Sequence, residues 1–345
     1  MNEARTPSKS LSSTRRRRVR RWLFLLALGV ASWLVSSLGV AYHLTHRRSP
    51  PFAEPAPAVA WGTFESHRFP TRDGHQIGAW YSQGREDAPS VLLIHGHKGS
   101  RGNCLGRAEL LAEHGCSVLL ISLRAHGDST GDFDDIGYGA RHDVVAAVKF
   151  LERRRPGRPI VILGTSMGAA AATFAAEELA RRVRGYILES PYLDLRRAVR
   201  NRTENELPPV LDLIAYRGLL TVAPLFLPHL AKISPHEAIR RVPVDVPILI
   251  LAGQEDLSAR REEAEALFNR VRSHGALLIF EGAGHLRMMD TDPIRYRRSV
   301  LGFIDAVRMG SDGARPSNRL DPVGRSPRRA PTRQREWMVR LSPSW

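Results

Sequence analysis

The residues with the clearest chemical potential are a serine, a histidine and an aspartate that each follow an apolar run. Ser166 lies in the segment GTSMG, between the apolar run PIVIL and an Ala-rich stretch. A serine hydroxyl is a weak nucleophile until an adjacent base takes its proton. A G-x-S-x-G segment at a tight strand-to-helix turn exposes its serine, and the glycines give the room that the turn needs. The pattern predicts Ser166 as the nucleophile of an acyl-transfer reaction.

A base and an acid for this serine follow later in the chain. His285 ends the segment EGAGH after the last apolar run, and Asp256 ends the segment GQED after the preceding one. An imidazole can take the serine proton and return it to the leaving group, while a carboxylate orients the ring. We therefore predict His285 as the base and Asp256 as its acid. Glu255 is the alternative acid because it is adjacent.

Acyl transfer also needs hydrogen-bond donors for the oxyanion that forms on the substrate. The segment HGHKGS at residues 95–100 follows the apolar run SVLLI. The sequence predicts the backbone N–H groups of Met167 and His97 as the two donors, with Lys98 as the alternative to His97. His95 is predicted to be a structural histidine in the turn.

The elements that must position these residues alternate between strands and helices. Strands are predicted at 63–69, 76–81, 90–94, 117–121, 159–163, 185–188, 246–251 and 276–280, and helices at 102–114, 139–154, 167–181, 259–273 and 293–308. Continuous apolar runs are typical of strands buried on both faces, and their alternation with helices predicts an α/β fold with a mostly parallel sheet. Such sheets bind ligands beyond the carboxyl ends of their strands.

Residues 191–240 interrupt this alternation with clustered apolar residues and prolines. They are predicted to form an inserted helical lid, which would exclude water from the site. The alternative is an extended connection that packs its apolar side on the core.

An uncharged apolar stretch, WLFLLALGVASWLVSSLGVAY, occupies residues 22–42 and directly follows a run of arginines. About 20 apolar residues cross a bilayer, and the arginine excess before them predicts a cytoplasmic N-terminus. We predict a single-pass membrane protein with its catalytic domain extracytoplasmic. A cleaved signal peptide, with a small-residue site at 39–41, is the alternative.

The predicted organisation has five parts. They are a basic cytoplasmic segment (1–21), a transmembrane signal-anchor helix (22–44), a Pro/Ala linker (45–60), the catalytic domain (61–308) and a disordered basic tail (309–345). Proline favours extended chain, so the linker is predicted to be a spacer that holds the domain off the bilayer.

Charge and cysteine content limit the other functions. The net charge of +16 is concentrated at the two ends, so the catalytic domain is nearly neutral. Arginine-rich ends can contact anionic lipids, although they are equally consistent with solvated tails. We expect no nucleic-acid partner, because no binding motif is found, and no metal or cofactor, because metal-ligand clusters and phosphate-binding motifs are lacking. Cys104 and Cys116 lie at opposite ends of a predicted helix and are expected to be free thiols.

The combination of HGHKGS, RAHGDSTG (124–131), GTSMG, GQED and GAGH resembles the α/β-hydrolase superfamily over about residues 63–306. Within it, the chain is similar to lipase/esterase-like and serine-aminopeptidase-like members with one N-terminal membrane anchor. The resemblance implies an α/β-hydrolase fold with an inserted lid, and it implies that loop 124–131 shapes the site without doing chemistry. The segment Leu257-Ser258-Ala259-Arg260 departs from the family, whose members often have Val-Pro shortly after the acid.

These features predict a serine hydrolase that cleaves an ester or thioester through an acyl-enzyme. The apolar lid and the anchor favour a lipid or other acyl-chain substrate. A serine peptidase or amidase is the first alternative, and Glu204 or Glu206 of the lid would then bind a free amino terminus. A non-catalytic hydrolase-fold binding protein at the membrane is the second. The sequence makes no prediction of the oligomeric state.

Overall fold

The computed structural model describes residues 11–47 and 50–311, and the described chain contains one eight-stranded sheet. The strands follow the order β1-β2-β4-β3-β5-β6-β7-β8 across the sheet. Their bounds are Glu65–Pro70 (β1), Gln76–Ser82 (β2), Ser90–Ile94 (β3), Ser117–Ile121 (β4), Ile160–Thr165 (β5), Gly185–Glu189 (β6), Ile248–Gly253 (β7) and Gly275–Phe280 (β8). The pairs β1/β2 and β2/β4 are antiparallel and all the others are parallel, so the predicted mostly parallel sheet is confirmed.

The two SVLLI runs form the neighbouring strands β3 and β4, in which every residue is buried. The register pairs Ile94 with Ile121 on one side and with Gly164 on the other. The carboxyl ends of β3 and β5 are therefore adjacent, and the segments that follow them are brought together at one edge of the sheet.

Helices cover both faces of the sheet. Their bounds are Leu11–Thr45 (α1), Leu105–Glu113 (α2), Arg141–Arg154 (α3), Met167–Leu179 (α4), Leu195–Glu206 (α5), Leu211–Phe226 (α6), Pro235–Ala238 (α7), Arg261–Arg270 (α8), Met288–Thr291 (α9) and Pro293–Ser311 (α10). Side chains of α3, α4 and α8 pack in the core on one face, and those of α2 and α10 pack on the other. The predicted helix 102–114 begins as a 3₁₀ turn, Arg101–Cys104, before α2.

The lid, residues 191–240, is inserted between β6 and β7. It contains α5, α6 and α7, so it is helical rather than an extended connection. The side chain of Asp194 caps α5 by accepting a hydrogen bond from the N–H of Arg197, which explains where the first lid helix begins.

Helix α1 begins at Leu11, so it includes the second half of the predicted basic segment 1–21 as well as the apolar segment. Arginine is a good helix former, and the basic run continues the helix at little cost. Within the described residues, Arg15–Thr45 is the one helix long and apolar enough to cross a membrane, by length and composition. A signal sequence would meet the same criteria.

The expectation that the Pro/Ala linker is a spacer is wrong, because residues 50–60 pack on the domain. Glu54 is buried, and its carboxylate accepts a hydrogen bond from Ser122 Oγ at 2.6 Å. Its carbonyl oxygen accepts bonds from Trp80 Nε1 (3.1 Å) and Arg101 Nη2 (3.0 Å). The Arg101 guanidinium is almost fully buried and requires such acceptors, so the linker supplies part of the domain's polar interior.

Two further expectations concern the thiols and the tail. Cys104 and Cys116 are free, as predicted, and the structure shows that both are buried, which raises the pKa of each thiol to about 12. Of the predicted tail, residues 309–311 belong to α10, and residues 312–345 lie outside the described part of the chain.

Candidate active site

Ser166 occupies the turn between β5 and α4 in a strained conformation. Its φ of 50° and ψ of −111° lie outside the regions that residues with a side chain ordinarily adopt. Its N–H donates to the carbonyl oxygen of Glu189 at 2.8 Å, and its own carbonyl accepts from the N–H of Ala170 at 3.1 Å. These bonds hold the strained residue, as is typical of functional turns.

The two glycines of the turn allow a close backbone approach. A Cβ atom at position 164 would lie 2.6 Å from the backbone nitrogen of Ala169, and one at position 168 would lie 2.6 Å from the carbonyl oxygen of His95. Contacts this short are not tolerated by real Cβ atoms, so both positions require glycine for space. The prediction from GTSMG therefore has a direct steric basis.

The structure brings Ser166, His285 and Asp256 together beyond the ends of three strands. Ser166 Oγ lies 3.2 Å from His285 Nε2, and His285 Nδ1 lies 2.8 Å from Asp256 Oδ2. The segments that carry them follow β5, β8 and β7. Both distances are within the range in which protons are shared between a nucleophile, a base and its orienting acid.

Asp256 is held as a carboxylate by its surroundings. Its Oδ1 accepts hydrogen bonds from the N–H groups of Ser258 (2.9 Å) and Ala259 (2.8 Å). Burial acts to raise the pKa of Asp256, but the hydrogen bond and charge of His285 and the backbone bonds outweigh it, so the pKa is lowered. The alternative acid, Glu255, is exposed, and Asp256 is buried against the ring.

The loop after β3 passes directly beside the serine. A Cβ atom at position 96 would lie 3.4 Å from the Cβ of Ser166. The N–H of Lys98 donates to His126 Nε2 at 3.2 Å, so this alternative oxyanion donor is already engaged. Met167 is the first residue of α4, and His97 lies between Gly96 and Lys98 in the loop. The loop that carries His97 thus passes close to Ser166, and the roles of the Met167 and His97 N–H groups as oxyanion donors stay predictions.

His95 has the structural role predicted for it. Its Nε2 accepts the N–H of Leu123 at 3.0 Å, and its Nδ1 lies 2.7 Å from the carbonyl oxygen of Gly96. Burial, helped by the nearby His126, lowers the pKa of His95 to about 3. The neutral ring therefore ties the loop after β3 to the loop after β4.

A polar cluster next to this loop was not predicted from the sequence. Asp134 Oδ2 lies 3.6 Å from His97 Nε2 and 3.7 Å from His126 Nε2. Burial, followed by the charge of Asp135, raises the pKa of Asp134 to about 7, while burial and the charge of Lys98 lower that of His97 to about 4. The cluster is formed by residues far apart in the chain, and the local pattern contains no signal for it.

The end of α1 also reaches the site, which the sequence did not indicate. His97 Nε2 lies 3.1 Å from the carbonyl oxygen of Leu44. Arg47 Nη1 and Nε donate to the carbonyl oxygens of Gly127 (2.9 Å) and Gly131 (3.0 Å), and its Nη2 donates to that of Ser129. From the sequence, the basic pair at 47–48 indicated only the end of the membrane segment. In the folded chain, Arg47 joins the apolar helix to the loop at 124–131.

Comparisons of the sequence find one matching family model and several similar proteins. The family model described as serine aminopeptidase, S33, matches residues 85–241. The uncharacterized protein YqkD of Bacillus subtilis is 26% identical over 245 residues, which cover 68% of this chain and 77% of that protein. The lysophosphatidylserine lipase ABHD12 of Gallus gallus is 31% identical over 119 residues. That match covers 33% of this chain and spans 30% of the lipase.

Solved structures show the fold. An esterase of Pyrococcus furiosus superposes with a TM-score of 0.59 at 21% identity, covering 75% of this chain and 98% of the esterase. A membrane phospholipase A superposes with a TM-score of 0.51 at 20% identity, covering 85% of this chain and 99% of that chain. The architecture that holds Ser166, Asp256 and His285 is shared with these hydrolase structures.

Proposed function

From the premise that this chain is an α/β-hydrolase, we propose that it is a membrane-anchored serine hydrolase that cleaves an ester or thioester of an acyl chain. The observation that carries the proposal is the 3.2 Å separation of Ser166 Oγ from His285 Nε2, with Asp256 2.8 Å from the other ring nitrogen. The catalytic unit is the domain of residues 61–308, and the lid covers it.

Acylation begins with the His285 tautomer that carries its proton on Nδ1 and donates it to Asp256 Oδ2. Ser166 Oγ attacks the substrate carbonyl carbon while its proton moves to His285 Nε2. Asp256 stabilises the imidazolium that forms and keeps the ring oriented. Collapse of the tetrahedral intermediate breaks the bond to the leaving alkoxide or thiolate, which takes the Nε2 proton.

Deacylation repeats these steps with water. His285 Nε2 takes a proton from water, the hydroxyl oxygen attacks the acyl carbon, and Ser166 Oγ leaves with the proton that the ring returns. In both steps the negative oxygen is stabilised by the N–H groups of Met167 and His97. Preorganised donors of this kind contribute about 3–4 kcal/mol to each tetrahedral transition state.

An acyl-chain substrate is favoured by the surroundings of the site and by the relatives. The lid helix α6 and the membrane-spanning part of α1 are both rich in apolar residues, and α1 ends at the loop beside Ser166. One relative is named a lysophosphatidylserine lipase, and a structural neighbour is a membrane phospholipase A. Both names describe enzymes that act on lipids, so a lipid-like ester is the substrate class we propose.

The membrane arrangement is part of the proposal. The arginines at 15–21 precede the apolar segment, and cytoplasmic flanks are the ones enriched in such residues. The N-terminus is accordingly cytoplasmic and the catalytic domain extracytoplasmic. Anionic lipid headgroups on the cytoplasmic side are a suitable partner for this arginine run.

A peptidase is the second candidate, because the matching family model describes an aminopeptidase. Such an enzyme needs a carboxylate that is available to a substrate amino group. In the lid, Glu204 pairs with Arg200 at 2.7 Å and with Arg260 at 2.5 Å, and Glu206 pairs with Arg202 at 2.8 Å. The arginines compete for these carboxylates, which favours ester cleavage over amino-terminal peptide cleavage.

The test is a substrate panel for the full-length chain in detergent micelles. Long-chain lysophospholipids, acyl thioesters and peptide amides are compared for the wild type and Ser166→Ala. The proposal expects release of fatty acid by the wild type, a loss of at least about 10³-fold in Ser166→Ala, and little turnover of amides. Turnover of amides alone would favour the peptidase, and a folded but inactive wild type would favour the non-catalytic binding protein.

A further inference from the structure

The lid helix α6 presents an unusual number of apolar side chains to its surroundings. Leu211, Leu213, Ile214 and Leu225 are each about half exposed or more, and Leu225 reaches 76%. The preceding residue Val210 is also exposed. Each such side chain is worth about 1.5–3 kcal/mol when it is removed from water, so a surface of this kind marks a contact with something apolar.

Helix α1 runs alongside α6, and the two helices contact each other at successive turns. Trp33 Nε1 donates to the carbonyl oxygen of Ile214 at 3.0 Å. One turn further along both helices, Gly218 faces Trp33 and Ser37, and a Cβ atom at position 218 would lie 2.8 Å from Trp33 Nε1 and still closer to Ser37 Oγ. The absence of a side chain at Gly218 allows the two helices to approach closely, as small residues do between membrane helices.

This pairing fixes the depth of α6 relative to the apolar segment. At ~1.5 Å per residue, Trp33 lies about 14 Å along the helix axis from Tyr42, the aromatic residue at the end of that segment. A bilayer core is about 30 Å thick, so Trp33 is near its middle when α1 crosses it. Helix α6 then begins near the middle of the bilayer, where Ile214 contacts Trp33. From there it runs toward the side of the catalytic domain.

The backbone before α6 is suited to an apolar surrounding. The connecting residues 207–210 include Pro208 and Pro209, which have no N–H group, and the N–H of Leu207 donates to the carbonyl oxygen of Thr203 at 3.0 Å. The N–H of Asp212 donates to the carbonyl oxygen of Pro208 at 3.1 Å. The two prolines and these two hydrogen bonds lower the number of backbone donors that lipid surroundings would leave without an acceptor.

Two polar side chains of α6 that contact α5 lie on the other side of α6. Asp212 and Tyr216 are on the helix face opposite to Ile214 and Gly218, and both contact Arg200 of α5. The Asp212 Oδ2 to Arg200 Nη1 distance is 3.0 Å. Charged groups near a membrane are favoured when they pair with one another or reach the headgroups. Helix α5 forms such a pair through Arg200, and its further arginines are suited to contact headgroups.

We infer that the lid is itself a membrane element: α6 lies beside α1 in the leaflet on the side of the catalytic domain, with acyl chains covering its exposed apolar face. Below the start of α6, the two helices border a groove of about 560 Å³ that is lined by Leu26, Val30, Trp33, Leu213 and Ile214, with Arg217 at its wall, and this groove takes the end of an acyl chain. This inference rests on the proposed membrane span and hydrolase function. An acyl substrate could then reach Ser166 from the bilayer without crossing water.

The test measures depth in the bilayer and does not depend on activity. Full-length Leu213→Cys is labelled with an environment-sensitive fluorophore and reconstituted in vesicles of phosphatidylcholine and phosphatidylglycerol, with and without lipids that carry a nitroxide on the acyl chain. Val35→Cys, in α1 and 67% exposed, is the lipid reference, and Val244→Cys, 75% exposed before β7, is the aqueous reference. The native thiols are buried, which limits background labelling.

The inference expects blue-shifted emission at position 213 and quenching of at least about 2-fold, as at position 35, with neither at position 244. Emission from position 213 that matches position 244 while position 35 is quenched overturns it. Absence of quenching at position 35 also overturns it, because α1 would then not span the bilayer. Fluorophosphonate labelling of the same samples reports the hydrolase separately, so a failure of the proposed function is distinguished from a failure of lid insertion.

Discussion

His97 Nε2 lies 3.1 Å from the carbonyl oxygen of Leu44, so the last turn of the apolar helix α1 contacts the loop that runs beside Ser166. The neighbouring Arg47 donates three hydrogen bonds to carbonyl oxygens of the loop at 127–131. The helix is thus attached to the walls of the site, and its position affects groups that the proposed chemistry needs.

Arg47→Ala should destabilise the full chain by about 2–4 kcal/mol, because three partly buried carbonyl oxygens lose a charged donor. Arg47→Lys should lose less free energy of unfolding than Arg47→Ala, but it should still be less stable than the wild type, since an ammonium cannot reproduce the planar guanidinium group. Urea unfolding in micelles measures the change. Arg72→Ala is the matched control, because Arg72 pairs with Glu178 at 2.9 Å on the surface and should cost less than about 1 kcal/mol. Equal effects at both positions would contradict the role given to Arg47.

Asp256→Asn should lower kcat by about 10³–10⁴-fold with little loss of stability. The amide oxygen can still accept the N–H groups of Ser258 and Ala259, but the charge that orients and stabilises His285 is gone. Glu255→Gln is the control and should stay within about 2-fold of the wild type, because Glu255 is exposed. The comparison is made on the same ester substrate. A larger loss of kcat in Glu255→Gln than in Asp256→Asn would contradict the assignment of Asp256 as the acid.

Gly168→Ala should abolish activity and lower the free energy of unfolding by more than about 3 kcal/mol, because its Cβ would meet the carbonyl oxygen of His95 at 2.6 Å. Gly302→Ala, in helix α10, meets nothing within 4 Å and should be neutral or stabilising by up to about 1 kcal/mol. Thermal unfolding and turnover of both variants check this. Wild-type behaviour of Gly168→Ala would refute the tight turn.

Asp134 should make stability depend on pH. Its folded pKa, about 7, exceeds that of the unfolded chain, so between roughly pH 4 and pH 7 the folded state binds more protons, and this contribution to stability falls as the pH rises. Asp134→Asn, which stays neutral, should therefore gain stability relative to the wild type across this range, by at most about 1.4 kcal/mol per pH unit. Urea unfolding at several pH values measures the difference. A difference that does not change with pH would contradict the raised pKa.

The sequence was sufficient to predict the sheet and the places of the candidate catalytic residues after its strands, because both follow from local sequence patterns. The SVLLI runs predict buried strands, and the segments with Ser166, Asp256 and His285 each directly follow a strand. Parallel strands bring such segments to one edge of a sheet without further information.

The sequence was insufficient for contacts between distant segments. Burial of Glu54 against Arg101, the junction formed by Arg47 and the pairing of Trp33 with Ile214 depend on tertiary packing between residues far apart in the chain. Residues 50–58 lie outside helices and strands, which suits their Pro/Ala composition, but composition contains no information on what such a segment packs against. The linker therefore differed most from its prediction.

The most direct test of the central claim is to locate a covalent fluorophosphonate adduct by mass spectrometry in the full-length chain. Wild type, Ser166→Ala and heat-unfolded wild type are treated in parallel. The account predicts one adduct, on Ser166, that forms in the folded wild type and is lost in the other two samples. A folded wild type without an adduct, or an adduct that persists in folded Ser166→Ala, would contradict the assignment of Ser166 as the activated nucleophile.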